Sequence, residues 1–263
     1  MNEDNGGIAS DLPRSEYPPL QLTGERTLPG IAEENYWFQR HLVAYRFVLP
    51  FVRGKRVVDL GCGEGYGADL LAGAAREAVG VDLAPEAIYH ARRKYRRPNL
   101  HFRYADIYET GLEDASFQVA VSFQVIEHLH RPERFMEEAL RLLEPGGLCV
   151  ITTPNRLVLS PGSETPVNPF HIFEFDHRQF EEFLRRFFDQ VDLWGLFHAG
   201  ILDWHERVMA WDRRYWRFRM PPALNRLIYG RWFIPSLSTR HFVWKHGDLK
   251  RAQDFMGFCF KAG

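Results

Sequence analysis

Short apolar runs alternate with stretches of helical spacing along most of this chain. Residues 56–60, 77–82, 100–104, 117–123 and 147–153 are each brief, rich in Val, Ile, Phe and Ala, and bounded by turn residues. Runs of that length and composition predict buried strands. Between them, 66–75 and 85–95 carry helical periodicity, the second with Pro85 in its first turn. A helix ahead of the fifth strand is stopped by Glu144-Pro145-Gly146-Gly147. Strands separated by helices predict a parallel, doubly wound α/β sheet. Farther on, Asp176 is placed to cap a helix over 177–187, and 190–194 and 255–260 read as two more strands.

The domain plan follows. Residues 1–20, with Pro13, Pro18 and Pro19 among acidic and small residues, are expected to form a flexible tail. Residues 21–50 are expected to form a helical N-terminal lid, and 51–263 the main domain. Within it, 200–245 is far longer than an ordinary connection, and is expected to be a helical insertion capping the site.

The densest chemistry lies at the end of the first strand, in Val57-Val58-Asp59-Leu60-Gly61-Cys62-Gly63-Glu64-Gly65-Tyr66-Gly67. Glycine lets a backbone approach a ligand closely, and the following helix offers unbonded N–H groups. The dinucleotide fingerprint needs its third glycine at position 66, which is Tyr66, and no lysine follows to make a phosphate cradle.

With Asp82 closing the second strand and Asp106 following the third, this arrangement resembles class I S-adenosylmethionine-dependent methyltransferases. The resemblance implies a Rossmann-like seven-stranded sheet with an antiparallel last strand, and S-adenosylmethionine as cofactor. It implies that Gly61, Gly63 and Gly65 form the loop against the cofactor's amino-acid end, with Asp59, the acidic strand residue ahead of them, also in the cofactor-binding set. Asp82 would bind the ribose hydroxyls and Asp106 the adenine amine, with Leu83, Ile107 and Gln124 completing the cofactor-binding set. Arg40, after an aromatic patch in the N-terminal segment, suits bidentate binding of the cofactor carboxylate. It equally suits a surface position on an amphipathic helix.

Beyond the cofactor, strand four ends in Gln124-Val125-Ile126-Glu127-His128. On a helical turn Gln124, Glu127 and His128 share one face. His171 sits in a Pro-rich loop, Asn168-Pro169-Phe170-His171. Three roles stay open for Glu127, His128 and His171. His128 acts as general base for an acceptor hydroxyl; the three bind a divalent ion such as Mg²⁺; or Glu127 and His128 merely orient the loop. Ubiquinone-pathway and small-RNA methyltransferases are similar here, with Glu-x-x-Glu-His and a metal, whereas this chain has Gln124 at the first position.

A formal charge of −1 and 45% hydrophobic residues give no pull toward nucleic acid or membrane. No run approaches the roughly 18 apolar residues of a membrane span. The acidic, polar start is unlike a secretory signal, and Cys62, Cys149 and Cys259 show no metal spacing, so a cytoplasmic protein is expected. The insertion holds Trp204, Trp211, Trp216, Trp232 and Trp244 with Arg207, Arg213, Arg214, Arg217 and Arg219. That mixture suits stacking on sugar rings, bases or a second subunit, or a packed helical cap with solvated arginines. From about residue 22 to 200 the chain is similar to sugar O-methyltransferases of polymethylated-polysaccharide synthesis, through Thr23 to Arg26, Glu34 to His41, Cys62 to Leu70, Phe123 to Leu129, Thr153 to Arg156 and Asn168 to His171. That resemblance implies methylation of a hydroxyl on a small polar acceptor, a carbohydrate. Quinone, lipid or natural-product acceptors, a non-catalytic cofactor-binding protein, and a homo-oligomer remain open.

Overall fold

The computed structural model describes residues 27–211 and 226–263. The expected tail, residues 21–26 of the expected lid, and 212–225, with Arg213, Arg214, Trp216, Arg217 and Arg219, lie outside the described residues, as does the Trp211 side chain.

Val57 and Val58 are both fully buried but belong to different core clusters, because successive strand side chains point to opposite faces. The same alternation recurs at Val119, Ala120 and Val121, so the sheet is covered on both sides. Its strands are β1 (Arg56–Leu60), β2 (Glu77–Asp82), β3 (Leu100–Tyr104), β4 (Phe117–Phe123), β5 (Leu143–Pro154), β6 (Gln190–His198), β7 (Phe242–Lys245) and β8 (Asp254–Phe260). They lie in the order β3-β2-β1-β4-β5-β8-β6-β7. β1 to β5 pair in parallel, while β8 runs antiparallel between β5 and β6. The order reverses direction between β1 and β4, and ligand crevices open at such a switch point.

One face carries α1 (Asn35–Val52) and α2 (Tyr66–Ala72); α3 (Pro85–Lys94) and α2 enclose a small cluster with β2 and β3. The opposite face carries α4 (Pro132–Leu142) and α6 (His177–Arg185). α6 begins where expected: Asp176 accepts from the backbone N–H of Arg178 and Gln179, and the Gln179 side chain completes a capping box. A short α5 (Arg156–Leu159) follows β5, and α7 (Ile201–Trp211) follows β6.

Three expectations are corrected. The sheet has eight strands rather than seven, because the insertion supplies β7, paired antiparallel with the end of β6 from Gly195↔Lys245 to His198↔Phe242. Only four residues long, with alternating buried and exposed positions, β7 is too brief to stand out in a segment read as helical. β6 runs on to His198, and β5 begins at Leu143, ahead of the Pro-Gly-Gly signal, with a register irregularity opposite Phe117 and Val119. Finally, the segment expected as a lid is partly a wall: Ala44, Tyr45, Val48 and Val52 of α1 are buried against the sheet. Trp244 of the insertion is likewise a core residue, whereas Trp204 and Trp232 are exposed. Among the described residues no helix is long and apolar enough to cross a membrane.

α1 is fastened to β8 by a buried ion pair. Arg40 Nε donates to Asp254 Oδ2 at 2.7 Å, and Nη2 donates to Asp254 Oδ1 and the Gln253 carbonyl. Removing one member leaves an unpaired buried charge, so Asp254→Asn should destabilise the fold by about 3–5 kcal/mol in denaturant titration, and Arg40→Met/Asp254→Leu should recover most of that loss.

Candidate functional site

The glycine loop leaves β1 with Gly61 at φ +82, where a Cβ would fall 2.5 Å from Val125 Cγ2. The N–H groups of Gly61 and Cys62 both donate to the Val81 carbonyl, at 2.8 and 2.9 Å. Asp82 then ties the loop to β2: its Oδ2 accepts from Gly63 N–H at 2.7 Å and its Oδ1 from Ala84 N–H at 2.9 Å. Each carboxylate oxygen keeps a second lone pair for a ligand hydroxyl. Asp106 Oδ1 accepts from Tyr108 N–H at 2.9 Å, which turns the chain after β3.

These groups line a cleft of about 580 Å³, with Gly61, Gly63, Asp82, Leu83, Asp106, Ile107 and Gln124 all in its wall. Leu83 is 57% exposed there, an apolar shelf beside two carboxylates. Acidic groups flanking an apolar shelf fit the ribose and adenine of S-adenosylmethionine, and the size suits it.

Three residues of the expected cofactor set sit elsewhere. Asp59 is buried beneath the loop, where it accepts from the Tyr45 hydroxyl at 3.2 Å; burial pushes its carboxyl up to about 7. Gly65, at φ +96, precedes α2, and its Cβ would meet Ala91 and Phe102 at 2.8 Å, so it serves packing. Arg40 lines a second cavity, and its fork is engaged by Asp254, so a cofactor carboxylate would have to compete with that pair.

The second cavity, about 220 Å³, adjoins the first, and Thr27, His41, Gln124 and His128 line both. The expected helical turn starts late: Gln124 has φ 56, and a 3₁₀ turn forms only over Ile126–His128. Gln124 is held by its N–H to the Thr152 carbonyl at 3.1 Å and by its side-chain amide to Thr152 Oγ1 at 3.2 Å. A left-handed backbone at a non-glycine residue is uncommon and clusters at functional sites.

Glu127, His128 and His171 come together as expected, their ligand atoms within 4.8 Å of one another. Glu127 is buried, takes a 3.2 Å bond from Thr153 Oγ1, and is pushed up to about 8 by burial. His128 Nδ1 lies 2.9 Å from the Phe170 carbonyl, so it donates there, and the lone pair of the neutral ring is at Nε2. The loop bearing His171 is pinned by Ile172 N–H donating to the Glu127 carbonyl at 2.9 Å. Asn168 Oδ1 accepts from Phe170 N–H, which orients its amide to donate to His171 Nε2 at 2.9 Å. His171 Nδ1 then donates to Glu174 Oε1 at 2.7 Å.

The donor set fits a divalent ion in part. Spacing and O/N chemistry suit it, but His171 uses both ring nitrogens, so Asn168 would have to give up its bond. Sequence reasoning missed Asn168, Glu174 and Asp254 as partners, and His41 as a wall of both cavities. Burial pushes His41 down to about 4, so it is neutral near pH 7. Only its place beside Arg40 in the N-terminal segment marked it.

The fold is a doubly wound α/β core with its cleft at the switch point of the strand order, and comparison with known proteins gives its family. Residues 58–151 match the family described as methyltransferase domain. A probable S-adenosylmethionine-dependent methyltransferase of Mycolicibacterium smegmatis is 46% identical over 205 residues, 77% of this chain and 76% of that protein. A ubiquinone biosynthesis O-methyltransferase of Cereibacter sphaeroides is 33% identical over 147 residues, 55% of this chain and 58% of that protein. The solved structure of an S-adenosylmethionine-dependent methyltransferase from Archaeoglobus fulgidus superposes with a TM-score of 0.59 at 20% identity, covering 87% of this chain and 97% of that one. This chain belongs to the S-adenosylmethionine-dependent methyltransferases.

Asp82 supports the loop and, in the family reading, the ribose. Asp82→Ala should therefore weaken S-adenosylmethionine binding by more than about tenfold in calorimetry, the loss expected for a charged hydrogen-bond acceptor; unchanged affinity removes Asp82 from the cofactor site.

Proposed function

We propose that this protein transfers a methyl group to a hydroxyl of a small polar acceptor of the saccharide type. The observation that carries the reading is the place and orientation of His128: it lines both cavities, and its Nδ1 is held by the Phe170 carbonyl. Bound in the larger cleft, S-adenosylmethionine supplies an electrophilic methyl on its sulfonium. An alcohol is a weak nucleophile until its proton is removed. Nε2 of His128 would accept that proton as the acceptor oxygen bonds to the methyl carbon and the carbon–sulfur bond breaks, the sulfonium leaving as a neutral thioether, and the resulting imidazolium would keep its Nδ1–H bond to Phe170. Glu127, neutral near pH 7 in its buried site, adds no competing negative charge to the acceptor oxygen. His41 and Gln124 complete the shared wall.

The acceptor cavity is lined by Glu34, Arg40 and Asn168 together with the apolar Trp37, Pro154 and Leu159, and carboxylate and amide groups beside an indole suit a polyol. The ubiquinone relative acts, by its name, as an O-methyltransferase, and O-methylation is carried to this chain on that likeness and on the His128 chemistry.

A second reading is favoured by the proximity of Glu127, His128 and His171. These three would hold a divalent ion, which would lower the pKa of a bound hydroxyl. Transfer of labelled methyl from S-adenosylmethionine separates the two. Under the proton-acceptor reading, turnover persists in excess chelator. An ion at the cluster instead makes turnover collapse and return with Mg²⁺ or Mn²⁺. In the same assay free aldohexoses and short oligosaccharides should outperform catechols and hydroxyquinones.

His128→Gln keeps a polar side chain but accepts no proton near pH 7. It should lose at least about a hundredfold in kcat with cofactor affinity intact. Wild-type turnover in His128→Gln would show that proton transfer is not its role.

A further inference from the structure

The acceptor cavity contains an acidic group that neither the fold nor the proposed chemistry uses. Glu34 lines it, and Glu34 Oε2 is shut off from solvent with no hydrogen-bond partner among the described residues. Polar atoms buried in this way are uncommon and costly, since the lost water bonds are not replaced. The local helix does not account for it. Glu34 occupies the N-cap position of α1, where a side-chain oxygen would ordinarily accept from the first turn, yet its side chain makes no cap bond.

One helical turn on, Trp37 enters the same cavity with 43% of its surface exposed. Tyr36 meets the indole edge-on at 5.1 Å, and the Arg40 guanidinium carbon lies over one of its faces, 5.0 Å from the ring centroid, which leaves the opposite face for a ligand. A fixed, partly open aromatic surface beside an unpartnered carboxylate oxygen matches the two faces of a sugar ring. The C–H face packs on the indole, and the hydroxyl edge donates to the carboxylate.

We propose that Glu34 and Trp37 form the acceptor-recognition subsite, in which Glu34 accepts hydrogen bonds from hydroxyls of the acceptor other than the one methylated. The proposal rests on the saccharide reading above and adds the residues that select it. The subsite lies on α1, while His128 reaches the cavity from the end of β4. The reactive hydroxyl and the recognised hydroxyls are thus served from different sides. Since Glu34 meets the acceptor alone, it should affect acceptor binding and leave the cofactor untouched.

The test uses the full-length protein, labelled-methyl transfer and the best sugar acceptor of the panel, with Glu34→Gln, Glu34→Ala and Trp37→Ala. Replacing a charged acceptor of sugar hydroxyls should raise the acceptor KM by about tenfold or more in both Glu34 variants, with kcat within about threefold. S-adenosylmethionine affinity should be unchanged. Single-deoxy analogues should identify a hydroxyl whose removal costs the wild type a similar factor and Glu34→Gln almost nothing. An unchanged KM in both Glu34 variants, or a fall in kcat alone, overturns the proposal while leaving sugar methylation standing. A wild type that methylates catechols but no sugar instead overturns the functional reading itself. Glu34→Gln, isosteric and uncharged, keeps the test valid if Glu34→Ala folds poorly.

Discussion

The buried pair between Arg40 and Asp254 joins the first helix to the last strand, and the acceptor side of the site depends on that junction. Arg40 lies 214 residues from Asp254 in sequence, yet its guanidinium also reaches the Gln253 carbonyl. Two side chains at that separation are brought together only when β8 has inserted between β5 and β6. A buried charge pair is costly to desolvate and strongly directional, so it fixes an angle where apolar packing would allow sliding. Glu34, Trp37 and His41 all project from the helix or its cap, so the pair sets where the acceptor wall stands relative to β4 and β5. Asn35 adds a second tie, donating to the carbonyls of Ile234 and Leu237, each at 2.9 Å. The insertion is thereby attached to the same helix end.

The two cavities meet because of how β4 ends. A left-handed residue at Gln124 and a single 3₁₀ turn deliver His128 to the boundary, where an ordinary helix start would carry it along the helix face. The loop over 168–173 then orients it. Phe170 provides the carbonyl for His128 Nδ1, and the same loop is anchored by Ile172 to the Glu127 carbonyl. His128 and His171 stand edge-to-face at 5.0 Å, and the Asn168 and Glu174 bonds keep the second ring fixed. The result is an imidazole whose lone pair is set by hydrogen bonding rather than by chance rotation.

Much of this was legible in the chain. The cofactor strands could be read because Val57–Leu60, Ala78–Asp82 and Val119–Phe123 are short apolar runs, and because glycine spacing and acidic strand ends carry mechanism. Asp176 announced its helix as an N-cap residue ahead of a helical pattern. Glu127 and His128 could be placed at the site because ligands sit at the carboxyl ends of strands, and His171 because a histidine in a Pro-rich loop is not expected in the core. What could not be read depends on distant partners. Asp59 reads as an acidic strand residue ahead of the cofactor loop, but its neighbour is Tyr45, supplied by α1 packing from across the core. Arg40 has the fork of a carboxylate binder, and nothing local says that the carboxylate is Asp254. β7 is too short to carry a period, and its strand state comes from pairing with β6.

The central claim is that His128, which lines both cavities with its Nδ1 held by the Phe170 carbonyl, takes the acceptor's proton at Nε2. Nitrogen NMR of the histidine-labelled protein at neutral pH tests it directly, with the His128 resonances assigned by comparison with His128→Gln. The account predicts a ring protonated at Nδ1 and bare at Nε2, because the Phe170 carbonyl accepts only from a protonated Nδ1. A His128 carrying its proton at Nε2 would have no lone pair there to take the acceptor's proton and would contradict the account.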